Sequence, residues 1–135
     1  MANAWYPKYV EAALTGAANV SLTTGTLKAS IIDADVHGYS DTDQFIDDID
    51  SGAIISTTTL GSPTVTGKQL DANDGTFTAV TGAESEAIAI WKDTGTPSTS
   101  RLVLWLDTGI TGLPVTPGGG DILVKWGAYI ASLGS

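Results

Sequence analysis

The chain contains no cysteine and only one histidine, His37, among its 135 residues. Without cysteine it forms no disulfide, no catalytic thiolate and no cysteine-ligated zinc site. A single histidine likewise excludes a metal site built from several imidazoles of one chain. Positive charge is scarce too, because 6 Lys and Arg stand against 15 Asp and Glu, which gives a net charge of −9. A chain this acidic repels phosphate backbones, and we therefore expect no nucleic-acid partner.

Long apolar runs are also missing, since no stretch approaches the roughly 20 residues of a membrane-spanning helix. We therefore expect no membrane partner, and the first residues lack the basic start and the apolar stretch of a signal peptide. Charged residues make up only 16% of the chain, while hydrophobic residues make up 42%. Threonine, serine and 16 glycines occupy positions that charges usually fill. This composition predicts a single, mainly β domain over residues 1–135.

Short strand-like segments follow one another from residue 26 to the end, separated by turns rich in glycine, proline, asparagine and aspartate. They predict a β-sandwich or barrel of about seven to eight strands. The predicted strands lie at residues 26–35, 53–60, 64–70, 76–80, 86–92, 101–107, 121–126 and 129–133. Residues 87–91 and 102–106 are continuously apolar, which indicates that both faces of these two strands are covered and that both strands are central.

Residues 1–16 predict an N-terminal helical segment. Pro7 suits the first turn of a helix, and Gly16 is a suitable stop after its last turn. The i, i+3, i+4 spacing predicts one apolar face on this helix, made of Val10, Ala13 and Leu14, which Tyr6 and Tyr9 extend.

The same segment carries a cluster of aromatic residues, which are Trp5, Tyr6 and Tyr9. Two alternatives are open for it. Either the helix packs across one end of its own domain, or the segment is an arm that docks on another subunit. Because Trp and Tyr dominate the energetics of protein interfaces, the second alternative makes these three residues candidate interface anchors.

Residues 41–50 concentrate negative charge and predict a short acidic helix. Phe45 and Ile49 are spaced i, i+4 and predict one apolar stripe, while acidic residues early in a helix suit its dipole. A negative surface also steers docking onto a basic one. The candidate interface residues of this segment are therefore Asp41, Asp43, Asp47 and Asp48.

No arrangement of residues indicates catalysis. A Ser-His-Asp triad needs His37 as its base, but no serine lies in the G-x-S-x-G context of a nucleophile. The Asp-Thr-Gly triplets at Asp93 and Asp107 are a weak motif, and the chain lacks the length of an aspartic protease around them. Among 15 carboxylates, some pair falls at a glycosidase spacing by chance. We therefore expect neither an enzyme nor a cofactor.

Calcium is the metal that the many oxygen ligands suit best. Acidic residues are paired at Asp33 and Asp35, and residues 71–74 add further oxygens. The loop pattern of the EF-hand is absent, and residues 71–75 are typical of a turn in which Asp and Asn bond their own backbone. No metal ligand is assigned from the sequence.

Three tryptophans leave a binding function open, because exposed indoles stack on sugar rings. These are Trp91, Trp105 and Trp126. Each lies inside or at the end of an apolar strand, and we therefore expect all three in the core.

The stretch from residue 93 to residue 121 has a distinctive sequence, in which DTGTPSTSRLV is followed by DTG and then by GLPVTPGGGD. Together with residues 4–9, 75–80 and 87–91, it resembles small structural proteins of the virions of tailed bacteriophages. The likeness covers most of the chain, although residues 125–130 depart from the pattern.

The resemblance implies a virion component, and several such proteins are capsid-associated. We therefore expect a capsid decoration protein that is made in the cytoplasm of a bacterial host, binds the outside of the major capsid protein shell and stabilises it. Its expected partners are the major capsid protein, copies of itself in a homo-oligomer such as a trimer, or both. The alternatives are another virion position (a head–tail connector, tail-tube or fibre-base subunit) and a carbohydrate or host-surface binding module.

Overall fold

The structure, a computed structural model, describes residues 3–127 and 129–133. These residues form ten strands and one α-helix, and the mainly β fold class expected from the sequence is confirmed. Along the chain the elements are β1 (Ala4–Trp5), α1 (Pro7–Leu14), β2 (Thr26–Ile32), β3 (Ile54–Thr59), β4 (Thr64–Thr66), β5 (Gln69–Asp71), β6 (Gly75–Phe77), β7 (Ala87–Asp93), β8 (Leu102–Leu106), β9 (Ile122–Val124) and β10 (Ala131–Ser132).

Five strands form one antiparallel sheet in the order β1-β8-β7-β2-β3. β7 and β8 lie inside this sheet and every residue of β8 is buried, which confirms that these two strands are central. The ladder between β2 and β7 ends with Ile32 opposite Ala87. This register places the next residues, Asp33 and Glu86, side by side.

Each face of this sheet is covered by a different part of the chain. One face carries a three-stranded sheet, in the order β10-β5-β4, and the two-stranded sheet of β6 and β9. Gly75 of β6 approaches Thr58 of β3 closely, since a Cβ on Gly75 would lie 3.7 Å from the Thr58 side chain. On the other face Tyr39 contacts Trp105, with ring centroids 6.2 Å apart. The buried apolar side chains form one core cluster, and the arrangement is β-sandwich-like.

The strands of the structure differ from the predicted ones in two respects. Residues 64–70 form a hairpin rather than one strand, because β4 and β5 pair antiparallel on either side of Gly67. Gly67 has a φ of 59°, in the left-handed region that glycine tolerates best. β1 is not expected from the sequence, because two residues carry no periodicity, and it forms by pairing with β8.

Helix α1 begins at Pro7 and ends before Gly16, as expected. Gly16 has a φ of 72°, and its N–H donates to the Ala13 carbonyl while the Ala17 N–H donates to the Ala12 carbonyl. This Schellman arrangement closes the helix. In the described part of the chain, no helix is long and apolar enough to cross a membrane.

The expected apolar face of α1 is buried only in part, because Tyr6 and Tyr9 are buried and Val10 packs half-buried against the core. Tyr9 and Ala12 are buried, whereas Ala13 is exposed and Leu14 is 81% exposed. Tyr6 enters the core directly before the helix, and the residue three positions later is therefore turned towards the sheet.

The short helix expected near residues 41–50 is only one 3-10 turn long and is not an α-helix. This turn is Ile46–Asp48, and a second 3-10 turn, Ser51–Ala53, follows the segment. The Gln44 carbonyl accepts the N–H of Leu102 in the main sheet at 3.0 Å, and an α-helix would need that carbonyl for itself. Tertiary pairing therefore overrides the local helical pattern.

Candidate interaction surfaces

The three N-terminal aromatic residues are packed against their own fold. Tyr6 is fully buried and Tyr9 is 7% exposed, while Trp5 is half-buried. The Trp5 indole N–H donates to the Ser132 carbonyl at 3.0 Å, and the Tyr9 hydroxyl donates to the Val20 carbonyl at 2.6 Å. Of the two alternatives for this segment, the structure has the helix packed on its own domain. Tyr6 and Tyr9 serve this packing, and for Trp5 the interface role stays a prediction.

The hydroxyl of Tyr6 is an unusual group of the core. It is buried, and it has no hydrogen-bond partner among residues 3–127 and 129–133. Burial above all, and then the nearby Asp43 and Tyr39, raise the pKa of Tyr6 well above its ordinary value. The Tyr6 and Tyr39 ring centroids lie 5.3 Å apart. The phenol of Tyr6 therefore stays neutral and contributes ring packing rather than hydrogen bonding.

An open groove with a volume of about 280 Å³ lies beside α1. We call it the apolar groove and define it by Trp5, Tyr9, Val65, Leu70 and Leu133. Val65 is 48% exposed and Leu133 is 44% exposed. Val65 belongs to β4, whose residues are all exposed and whose outer edge pairs with no strand of the described residues. Exposed apolar side chains beside an open strand edge are typical of a protein contact surface.

The four carboxylates predicted at an interface fall into three groups. Asp43 is only 8% exposed and lies inside the fold. Asp48 is exposed, but its Oδ2 accepts two backbone N–H groups at the start of the first 3-10 turn, at 2.8 and 2.9 Å. Asp41 and Asp47 are exposed and make no hydrogen bond or ion pair within the part of the chain that the structure describes. An interface role therefore suits Asp41 and Asp47 and does not suit Asp43.

His37 is held within its own loop. Its Nε2 lies 2.8 Å from Asp43 Oδ2, and its Nδ1 accepts the Asp50 N–H at 3.3 Å. The neutral tautomer with the proton on Nε2 satisfies both contacts. Neither ring nitrogen is left to take a proton from a serine hydroxyl, and the geometry of a Ser-His-Asp site is not formed around His37.

Three carboxylates meet at the end of β2. Oxygens of Asp33, Asp35 and Glu86 lie within 4.8 Å of one another. Glu86 Oε1 accepts the Ala34 N–H at 2.9 Å, whereas Oε2 is buried without a hydrogen-bond partner in the described ranges. Burial is the main cause that raises the pKa of Glu86, and it outweighs the lowering by the Ala34 hydrogen bond, with Asp35 and Asp33 raising the pKa further.

Such a set of oxygen donors is of the kind that Ca²⁺ binds. Acidic side chains nevertheless lie together on many protein surfaces without an ion, and Asp35 is exposed, so we assign no metal to this cluster. In the sequence Asp33 and Asp35 stand as a pair of acidic residues, but nothing there indicates that Glu86 lies beside them. Only the register of β2 with β7 brings Glu86 to them.

The aspartates of the two Asp-Thr-Gly triplets are used within the fold. Asp93 Oδ1 accepts the Gly95 N–H at 2.8 Å, and Lys28 Nζ lies 3.2 Å from Asp93 Oδ2. The Gly95 N–H first, and then Lys28, hold the pKa of Asp93 below its ordinary value. Asp107 Oδ2 accepts the Trp105 indole N–H at 2.9 Å. Each triplet therefore has a local structural explanation.

The tryptophans do not form a common stacking platform. Trp105 is 1% exposed and Trp126 is 6% exposed, and the core positions expected for these two are confirmed. The Trp126 indole N–H donates to the Asn73 carbonyl at 2.8 Å inside the fold. Trp91 differs, because it is half-buried and its indole N–H donates to the Ser30 hydroxyl at 2.9 Å.

The described residues thus offer two candidate contact surfaces, namely the apolar groove beside α1 and the exposed carboxylates Asp41 and Asp47. No family model matches the chain, and no curated protein matches it either. A functional assignment therefore starts from these surfaces and is a proposal.

Sequence reasoning missed Val65 and Leu133 as surface residues. In the sequence both look like ordinary apolar positions of short strands or their ends. Val65 lies on β4 and Leu133 directly follows β10, and these are the two outer strands of the same sheet. Local periodicity does not encode that position.

Proposed function

We propose that this chain is a structural protein of a tailed-bacteriophage virion and that it decorates the outside of the capsid. In this role it binds the major capsid protein and copies of itself, and it stabilises the shell by burying surface against neighbouring subunits. The role requires contact and no catalytic step. The bacteriophage resemblance of residues 93–121 supports the virion assignment.

The exposure of the apolar groove is the observation that carries the decoration role. Single apolar side chains on a surface are ordinary, but Val65 and Leu133 border one groove, and Trp5 provides an aromatic wall. A tryptophan in a desolvated contact supplies much of its binding energy. We therefore assign the capsid contact to the apolar groove, with Trp5 as its aromatic residue.

Co-sedimentation of the purified protein with undecorated capsids from the same source tests the proposal. We expect saturable binding at a fixed ratio to the shell subunits. Val65→Asp places a charge where the contact excludes water, and binding should weaken by about tenfold or more. Leu123→Asp is the matched control, because Leu123 on β9 is 49% exposed, as Val65 is 48% exposed, and lies outside the groove.

Two results contradict the proposal. If the folded wild-type protein does not sediment with capsids, decoration is wrong, and light scattering then tests for the ring-sized oligomers of a connector or tail-tube subunit. If Val65→Asp and Leu123→Asp weaken binding equally, the contact is not at the apolar groove.

A further inference from the structure

A second groove, with a volume of about 420 Å³, lies between the two 3-10 turns and the end of β7. Its walls are apolar and its rim is acidic. We call it the acidic groove and define it by Ile49, Ile54, Trp91, Pro97, Asp47 and Asp50.

Trp91 gives this groove a rigid aromatic wall. The indole N–H donates to the Ser30 hydroxyl at 2.9 Å, and the Ser30 and Thr57 hydroxyl oxygens lie 2.7 Å apart. The side chain is therefore held in one orientation while part of it stays exposed. A ring that is already fixed loses little conformational entropy when a partner packs on it.

The rim carries uncompensated negative charge. Asp47 is exposed and makes no hydrogen bond or ion pair among the residues described. Asp50 is exposed, and its Oδ1 accepts the Gly52 N–H at 2.9 Å. Lys28 lies 5.8 Å from the centre of the Trp91 ring, but Asp93 pairs with it at 3.2 Å. The groove therefore favours an occupant with positive charge beside an apolar group.

The charge of the chain restricts what this occupant is. A nucleic acid is repelled by the acidic rim. A second copy of this chain carries the same net charge of −9 and has only 6 Lys and Arg to offer. A basic segment of another protein complements both the rim and the apolar walls.

We infer that the acidic groove binds a segment of the major capsid protein in which an apolar side chain is flanked by Arg or Lys, an inference that rests on the proposed function for the identity of this partner. The apolar side chain packs against Trp91 and Ile54, and the flanking cations reach Asp47 and Asp50. This contact is separate from the apolar groove, since the two grooves share no lining residue.

A short capped peptide, acetyl-Gly-Arg-Leu-Lys-Gly-amide, tests the groove without capsids. We expect it to shift the backbone amide signals of Ile49 and Ile54 and the indole signal of Trp91 in the NMR spectrum of the labelled protein. A concentration of about 1 mM half-fills a site with a millimolar Kd. The same peptide with Glu in place of Arg and Lys should cause no shift at the groove.

A pair of charge-matched variants distinguishes the effect of the groove carboxylates on peptide binding from the effect of net charge. Asp47→Asn with Asp50→Asn should weaken peptide binding by about tenfold, because two exposed ion pairs are lost. Asn is also a good N-cap residue and keeps the hydrogen bond to Gly52. Glu11→Gln with Glu84→Gln removes the same charge from exposed positions outside the groove, and peptide binding should stay within about twofold.

Capsid co-sedimentation of the same variants identifies the partner. The groove variant should bind capsids about tenfold more weakly than wild type, while the control variant binds as wild type does. The inference is wrong if the peptide causes no shift at the groove. It is also wrong if both variants bind capsids equally well, and the decoration role then still stands. If the wild-type protein does not bind capsids, the proposed function fails, and the shell is excluded as partner even where the peptide binds.

Discussion

His37 Nε2 and Asp43 Oδ2 lie 2.8 Å apart, and this contact ties the loop after β2 to the acidic segment that follows it. Asp43 is 8% exposed, and the Asp50 N–H donates to the other ring nitrogen of His37. The single histidine of the chain therefore organises the base of the segment whose outer residues, Asp47 and Asp50, border the acidic groove.

Replacing His37 should destabilise the fold. His37→Ala leaves the buried Asp43 carboxylate without its donor, and we expect the free energy of unfolding to fall by about 1–3 kcal/mol. Urea unfolding measures the change. Asp41→Ala, an exposed acid of the same segment, should change stability by less than about 0.5 kcal/mol. Equal effects of the two substitutions would mean that the contact between His37 and Asp43 adds nothing to the free energy of unfolding.

Removing the hydroxyl groups of two tyrosines should have different effects on stability. Tyr6→Phe deletes a buried hydroxyl without a described partner, and stability should stay unchanged or rise by up to about 1 kcal/mol. Tyr9→Phe deletes the donor to the Val20 carbonyl, and stability should fall by about 1 kcal/mol. Thermal or urea unfolding compares the two variants, and a loss of stability in Tyr6→Phe would reveal a hydrogen bond at that hydroxyl.

Truncation of the Trp105 side chain should lower the free energy of unfolding strongly. Trp105 is 1% exposed, contacts Tyr39 and donates its indole N–H to Asp107. Trp105→Ala should therefore lower the free energy of unfolding by about 3–5 kcal/mol. Leu14→Ala is the contrast, because Leu14 is 81% exposed, and its effect should stay within about 0.5 kcal/mol. A cost below about 1 kcal/mol at Trp105 would contradict its place in the core.

Glu86→Gln should stabilise the protein at neutral pH. Burial raises the folded-state pKa of Glu86, and the native state therefore holds a proton more tightly than the unfolded chain does. The contribution of Glu86 to stability is then full below its unfolded pKa and is lost as the pH rises through its folded pKa. Glutamine stays neutral and avoids that loss.

Unfolding measurements across the acid range test this pH dependence. The advantage of Glu86→Gln over wild type should grow as the pH rises to 7 and should vanish where the carboxyl is protonated in both states. Glu11→Gln, at an exposed position of α1, is the control and should show no such trend. An advantage that is constant with pH would contradict ionisation of Glu86 as the cause.

Several elements can be predicted from the sequence because their causes are local. Burial of both faces leaves an unbroken apolar run in the chain itself, as in Leu102–Leu106. Pro7 and Gly16 mark the two ends of α1 through the backbone geometry of single residues. Gly67 has the same kind of local effect, but its turn divides a stretch that otherwise has the pattern of one strand.

The acidic segment could not be predicted in the same way. Its spacing is compatible with a helix, but the Gln44 carbonyl accepts the N–H of Leu102, far along the chain. The same kind of distant pairing brings Glu86 to Asp33. Local propensity is weaker than such pairing when the two compete.

By itself the sequence determined the mainly β class, the two central strands, and the exclusion of disulfides and of cysteine-ligated zinc. These follow from composition and from spacing over a few residues. Only the tertiary structure decided that Tyr6 and Asp43 lie inside the fold and that Val65 remains exposed on an edge strand. The physical reason is that the exposure of a side chain depends on which strands pair and in what register, and register is set by contacts between residues far apart in the chain.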